Sequence, residues 1–184
     1  SLEPLRKLVD KYKDDFTPNI KLKYENMDLE SILADNENKT QWKFNIPTLQ
    51  RRVEGVTGGH FVIVGARPNT GKTSFHASSI ASEGGFAAQG AKCLVLCNEE
   101  ASEVVRLRYS LAGTGIEEDE IRKNLAKYLL IYNRVKPNID LIDGTGEEMP
   151  WVEAVVKSHR PDIVILDMGH KYAERTSDKT DVYL

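Results

Sequence analysis

The chain has 184 residues, of which 40% are hydrophobic and 29% charged, and this composition excludes disorder throughout. The net charge of −3 argues against a uniformly basic nucleic-acid coat protein, although a nucleic-acid motor can confine its basic groups to a few loops. Because the sequence has neither a secretion signal nor an apolar run of the roughly 18 residues that a membrane helix needs, we expect a cytoplasmic protein with no membrane partner.

Residues 1–44 are predicted to form a helical linker that is separate from the main domain at 45–184. Apolar side chains recur at helical spacing in "PLRKLVDKYKDDF" and again in "DLESILAD". Two such short helices have no core of their own. We therefore expect them to pack on the main domain or on a neighbouring subunit.

From about residue 45 the sequence alternates predicted strands with predicted helices. The strands are "HFVIVGA", "AKCLVLCN", "NIDLID" and "DIVILDM", and we expect the first and last of these to be buried. The helices are "KTSFHASSIASEG", "SEVVRLRYSLAG", "EEDEIRKNLAKYLLIYNR" and "GEEMPWVEAVVKSHR". This alternation predicts an α/β fold with a mostly parallel sheet flanked by helices.

The loop after the first predicted strand has the composition of a phosphate-binding loop. Gly71, Lys72 and Thr73 fill the last three positions of the P-loop pattern, where the lysine reaches the phosphates and the hydroxyl binds Mg²⁺. The first position is Ala66 instead of glycine, and the alternative is a chance Gly-Lys-Thr turn. The predicted nucleotide-binding residues are Ala66, Arg67, Pro68, Asn69, Thr70, Gly71, Lys72, Thr73 and Ser74.

Acidic residues follow two of the predicted strands. Asp167 ends "DIVILD" and is predicted to hold Mg²⁺ together with Thr73, the alternative being a turn or helix-capping aspartate. Glu99 and Glu100 follow "CLVLCN", where a group that activates water should lie. Two exposed acids at a helix N-terminus would look the same, so these residues alone do not decide between the two readings.

The two cysteines, Cys93 and Cys97, lie on one face of the second predicted strand. A metal site would need more ligands than this pair supplies, and no further Cys or His is nearby in the sequence. We expect buried free thiols.

The combination of these motifs resembles the DnaB-type replicative helicases over roughly residues 45–175. "GARPNTGKTS" is similar to their Walker A loop, "VLCNEEASEVVRLR" to the segment with the catalytic glutamate, and "DIVILDM" to their Walker B strand. The resemblance implies a RecA-like ATPase core that uses ATP and Mg²⁺, with Glu99 and Lys72 as catalytic residues and Arg108 as the helix arginine. It also implies single-stranded DNA, ring neighbours in a hexamer and a primase as partners.

Two departures from that family pattern matter. His170 stands where the family commonly has glutamine, either as a sensor of nucleotide or DNA or as a plain loop histidine. The family's γ-phosphate sensor, DNA-binding loops and arginine finger would lie beyond Leu184, so we expect the nucleotide-binding part of the domain, weakly active alone. Phage helicases are similar too, which would place the protein in the host cytoplasm.

Three other functions are compatible with the same motifs. A RecA-like recombinase or clock-type ATPase would share the core with a different output. A small-molecule kinase would need an acceptor site and an arginine-rich lid, which the sequence does not clearly supply. A nucleotide-dependent assembly module would not need the water-activating acid that Glu99 provides.

Overall fold

The computed structural model describes residues 29–30, 33–34, 39–67 and 69–172. The chain divides into two compact units, Ser1–Asn38 and Lys39–Leu184. In the first unit, residues 29–30 and 33–34 are helical, as predicted, and Leu29 and Leu33 are exposed. The first predicted helix lies outside the described residues, and the predicted domain boundary at residues 44 and 45 stays a prediction.

The second unit contains a three-stranded parallel sheet with helices between its strands. In chain order its elements are β1 (Gln41–Trp42), α1 (Pro47–Gln50), β2 (Val56–Thr57), α2 (Lys72–Ala81), β3 (Cys93–Cys97), α3 (Ser102–Thr114), α4 (Glu118–Lys123), α5 (Leu125–Tyr132), β4 (Ile139–Asp143), α6 (Met149–His159) and β5 (Ile163–Leu166). The strand order is β4-β3-β5, and β1 and β2 form a separate antiparallel pair. The predicted α/β fold with a parallel sheet is confirmed.

The central strand β3 is buried on both faces because helices cover the sheet on each side. Its odd-numbered residues, such as Val95, pack with α2 and α3 in one apolar cluster. Its even-numbered residues, Leu94 and Leu96, pack with Val152 of α6 in another. The period-two alternation of a strand therefore divides five consecutive apolar residues between two cores. Cys93 and Cys97 are buried free thiols, as predicted.

The boundaries of two predicted helices differ from the structure. The single helix expected at 117–134 is split into α4 and α5, because Asn124 has a non-helical conformation with φ −145° and ψ 60°. Helix α3 continues past Gly113 to Thr114 and ends at Gly115, whose φ of 67° favours glycine. Gly113 lies against the ring of Tyr132, where an added Cβ would come within 2.8 Å.

The first predicted strand is not a strand in this structure. Residues 61–64 make no ladder with the sheet, and Phe61 and Ile63 are 87% and 79% exposed. Among the described residues β5 is therefore an edge strand, and its Val164 is exposed, so the prediction that β5 is buried on both faces is also wrong. An apolar β-branched run indicates strand propensity, but it does not specify which sheet edge will accept the run.

Candidate nucleotide-binding site

Three charged side chains meet at one edge of the parallel sheet. Lys72 begins α2, Glu99 follows β3, and Asp167 follows β5. The Lys72 Nζ atom lies 2.8 Å from Glu99 Oε2 and 3.3 Å from Asp167 Oδ1. Because the carboxyl ends of parallel strands share one edge, residues far apart in sequence converge there, where open α/β sheets bind ligands.

The loop before α2 makes a sharp turn that leads into the helix. Asn69 and Gly71 both have positive φ, 60° and 92°, and the Thr70 hydroxyl donates a hydrogen bond to the Arg67 carbonyl oxygen over 2.6 Å. The N-cap residue of α2 is Gly71, and no side chain among the described residues caps this helix N-terminus. The backbone N–H groups of its first turn can therefore donate hydrogen bonds to an anion, and the helix dipole also favours an anion at this end.

The predicted nucleotide-binding residues differ in accessibility. Thr73 is buried in the first turn of α2, and Lys72 is half-buried. Pro68 lies outside the described residues. The exposed ones are Ala66, Arg67, Asn69, Thr70, Gly71 and Ser74. A ligand could therefore reach most of this loop from solvent.

The ion pair of Lys72 with Glu99 shifts the pKa of both groups. Burial alone would lower the pKa of Lys72, but its hydrogen bond to Glu99 and the charge of Asp167 outweigh burial and raise that pKa. The hydrogen bond from Lys72 lowers the pKa of Glu99, and the positive charges of Lys72 and Lys171 act in the same direction. Both groups are charged at neutral pH.

The two adjacent glutamates face different partners. Glu99 contacts Lys72, whereas Glu100 accepts hydrogen bonds from Arg108, at 2.5 Å from Nη1 and 2.8 Å from Nη2. This two-point pair occupies both Glu100 oxygens and ties the β3–α3 loop to α3. The geometry therefore brings Glu99, and not Glu100, to the first residue of α2, and the catalytic role of Glu99 stays a prediction.

The environment of Asp167 fits a cation. Asp167 is 3% exposed, its Oδ1 atom lies 3.3 Å from Lys72 Nζ, and within the described part of the chain neither carboxylate oxygen has a hydrogen-bond partner. A buried carboxylate with unfilled oxygens is costly unless a cation compensates it. Among the described residues, no cluster of three or more His, Cys, Asp or Glu side chains could hold a metal by itself. Mg²⁺ commonly needs only one or two protein carboxylates beside substrate phosphates, so Asp167 and the Thr73 hydroxyl suit it.

The structure places further side chains around this site that the sequence analysis did not single out. The Lys171 ammonium donates a hydrogen bond to the Asn98 carbonyl oxygen over 3.0 Å, directly before Glu99. Met168 has a φ of 55°, and its sulfur lies 2.9 Å from Lys72 Nζ. His76 is buried in α2 behind Thr73. In the sequence, His76 could have been found because it follows Thr73 by about one helical turn. His170, which the family pattern had already drawn attention to, is exposed.

The converging lysine and carboxylates, the helix N-terminus and the parallel sheet define a P-loop nucleoside triphosphatase domain of the RecA-like kind. A protein-family model described as an AAA domain matches residues 31–181, and the chain belongs to this family of P-loop ATPases. A search of curated proteins found no match. Within the part of the chain that the structure describes, no helix is long and apolar enough to cross a bilayer.

Proposed function

We propose that this chain is the ATP-binding and hydrolysing core of a replicative DNA helicase, which unwinds duplex DNA by translocating on single strands. The observation that carries the proposal is the convergence of Lys72, Glu99 and Asp167 at one sheet edge. The AAA-domain family supports nucleotide hydrolysis. The helicase assignment rests on the three motifs that resemble DnaB-type proteins.

Nucleotide binding would rearrange the charges that the structure shows. The N–H groups of the loop and of the first turn of α2 would bind the phosphates, and Lys72 would leave Glu99 to join them. Thr73 and Asp167 would hold Mg²⁺, which supplies charge neutralisation on the phosphates when bound. Once Lys72 has moved, Glu99 is free to orient and deprotonate the attacking water.

The partners of this core are part of the same proposal. Single-stranded DNA, neighbouring subunits in a hexameric ring and a primase are the partners of the DnaB-type helicases that the sequence resembles. Arg67 is exposed in the phosphate-binding loop. As part of the proposal, Arg67 would contact phosphate or a neighbouring subunit.

The experiment is an ATPase assay with and without single-stranded DNA on the natural full-length protein, as wild type and as the variants Lys72→Ala and Glu99→Gln. We expect hydrolysis that DNA stimulates and that both variants lose. Glu103→Gln, an exposed glutamate in the first turn of α3, is the matched control and should behave as the wild type. Glu100→Gln tests whether hydrolysis requires Glu100 instead of the adjacent Glu99.

Each outcome decides a separate part of the proposal. Hydrolysis that DNA does not change would replace the helicase with another RecA-like ATPase, such as a recombinase or clock-type protein. Full activity in Glu99→Gln together with loss in Glu100→Gln would move the catalytic role to Glu100. Nucleotide binding without any hydrolysis would favour the assembly module.

A further inference from the structure

A buried polar pair connects α2, the helix that follows the phosphate-binding loop, to α3. His76 of α2 and Tyr109 of α3 are 7% and 0% exposed. The His76 Nδ1 atom and the Tyr109 hydroxyl oxygen are 2.8 Å apart, and the ring centroids are 5.7 Å apart. Two apolar residues would fill this space without the cost of burying polar groups, so the pair calls for a functional explanation.

The surroundings of the pair determine where its protons lie. Burial raises the pKa of the Tyr109 hydroxyl well above its ordinary value, so tyrosine keeps its proton. Burial lowers the pKa of His76 to about 4, so the imidazole is neutral at physiological pH. If the Tyr109 hydroxyl donates to Nδ1, both groups of that contact are satisfied and the single ring proton is on Nε2.

The Nε2 atom of His76 is a donor without an acceptor in the described structure. It is buried and has no hydrogen-bond partner, and the same is true of both oxygens of Asp167. Of the charged groups that act on the pKa of His76, Asp167 has the largest effect, ahead of Lys72 and Arg108. Lys72 Nζ lies 3.3 Å from Asp167 Oδ1, and His76 follows Lys72 by about one turn of α2, so the spare donor and the spare acceptor both lie at the N-terminal end of this helix.

The demand for such a donor grows when nucleotide binds. Among the described residues, Lys72 is the only cation paired with Asp167. The phosphates would draw Lys72 away, and the buried carboxylate would then need other support. A neutral N–H donor supports the carboxylate without competing with Mg²⁺ for its charge, as groups behind metal ligands commonly do.

We propose that Tyr109 and His76 form a positioning pair that holds the Asp167 carboxylate in place for Mg²⁺, through one buried water. His76 acts through Asp167 and touches neither nucleotide nor metal, so it is a positioning residue. The inference rests on the proposed function only in requiring that Mg-nucleotide binds at this site. It does not require a helicase.

The test measures the Mg²⁺ dependence of nucleotide binding, without hydrolysis. A fluorescent ADP analogue is titrated with Mg²⁺ in the presence of wild type, His76→Ala, His76→Gln and Tyr109→Phe. We expect His76→Ala to raise the half-saturating Mg²⁺ concentration roughly 10-fold or more, with binding in EDTA unchanged. His76→Gln retains an N–H donor and should restore most of the effect, and Tyr109→Phe should lie between them.

Two controls separate positioning from general damage to the core. Tyr132→Phe removes a buried tyrosine hydroxyl from the same apolar cluster, and Ser79→Ala changes another buried polar residue of α2. Neither should alter the Mg²⁺ requirement. Circular dichroism reports whether each variant is folded. If His76→Ala does not fold, His76→Gln and Tyr109→Phe decide the question.

The possible failures can be told apart. An unchanged Mg²⁺ requirement in both His76→Ala and Tyr109→Phe would overturn the positioning pair and leave the proposed function intact. Equal weakening of binding with and without Mg²⁺ would show a merely structural role and would also overturn it. A wild type that binds no nucleotide under either condition would overturn the proposed function itself.

Discussion

At the scale of single residues, the ion pair between Lys72 and Glu99 has two competing uses. In the proposed mechanism Lys72 leaves Glu99 to bind the phosphates, so nucleotide binding would break this contact. The Lys72 and Glu99 side chains are 24% and 37% exposed, and an ion pair of that accessibility contributes at most about 1 kcal/mol. Under the proposed function, the contact would weaken nucleotide binding slightly and would keep Glu99 charged until the nucleotide binds.

Replacing Glu99 by glutamine should raise nucleotide affinity while it abolishes hydrolysis. Without the carboxylate, Lys72 is free for the phosphates, and a pair worth at most about 1 kcal/mol corresponds to an increase of up to about 5-fold. Isothermal titration calorimetry with ADP and Mg²⁺ measures this change. Glu103→Gln is the control. A lower affinity of Glu99→Gln than of the wild type would show that the carboxylate supports nucleotide binding.

The same contact should make stability depend on pH. The pKa of Glu99 in the folded protein lies below its ordinary value of 4.5, so its contribution is present above that value and is lost as pH falls through the folded pKa. We expect wild type to exceed Glu99→Gln in free energy of unfolding at pH 7, and this difference to shrink under acid conditions. Urea denaturation of both proteins at pH 7 and pH 3 measures it. A difference that is constant over this range would contradict the assignment.

At the scale of elements, the run at 61–64 and the strand β5 show what a sequence pattern leaves undetermined. Both stretches are four apolar, mainly β-branched residues, yet β5 pairs with β3 and the earlier run pairs with nothing in the described structure. Their strand propensity is alike. The difference lies in tertiary pairing, which propensity does not specify.

Two matched substitutions test this difference in stability. Ile63→Ala should change the free energy of unfolding by less than about 0.5 kcal/mol, because Ile63 is 79% exposed. Ile80→Ala in α2 should cost about 2–5 kcal/mol, because Ile80 is 0% exposed in the core. Chemical denaturation of the two variants beside the wild type gives both values. A cost at Ile63 close to that at Ile80 would show that residues 61–64 are packed in solution.

At the scale of the whole molecule, the sequence predicted which charged residues converge at the sheet, but it did not predict which buried side chains pack next to them. Lys72, Glu99 and Asp167 could be found because each follows directly from a motif at a strand end or helix start, and parallel strands bring such ends together. His76 and Tyr109 are 33 residues apart, and their contact depends on how α2 packs against α3. No local pattern determines that packing.

The two buried thiols of β3 have a practical consequence for work on this protein. Burial raises the pKa of Cys93 to about 12 and that of Cys97 to about 11, so neither thiol is a reactive thiolate while β3 is folded in the sheet. Alkylation of these cysteines therefore reports opening of the central strand, with no introduced label. A bound ligand at 100 times its Kd stabilises the folded state by about 2.7 kcal/mol, so saturating nucleotide should slow alkylation about 100-fold. Mass spectrometry of timed alkylation reactions would measure this protection, and equal rates with and without nucleotide would show that β3 opens independently of the site.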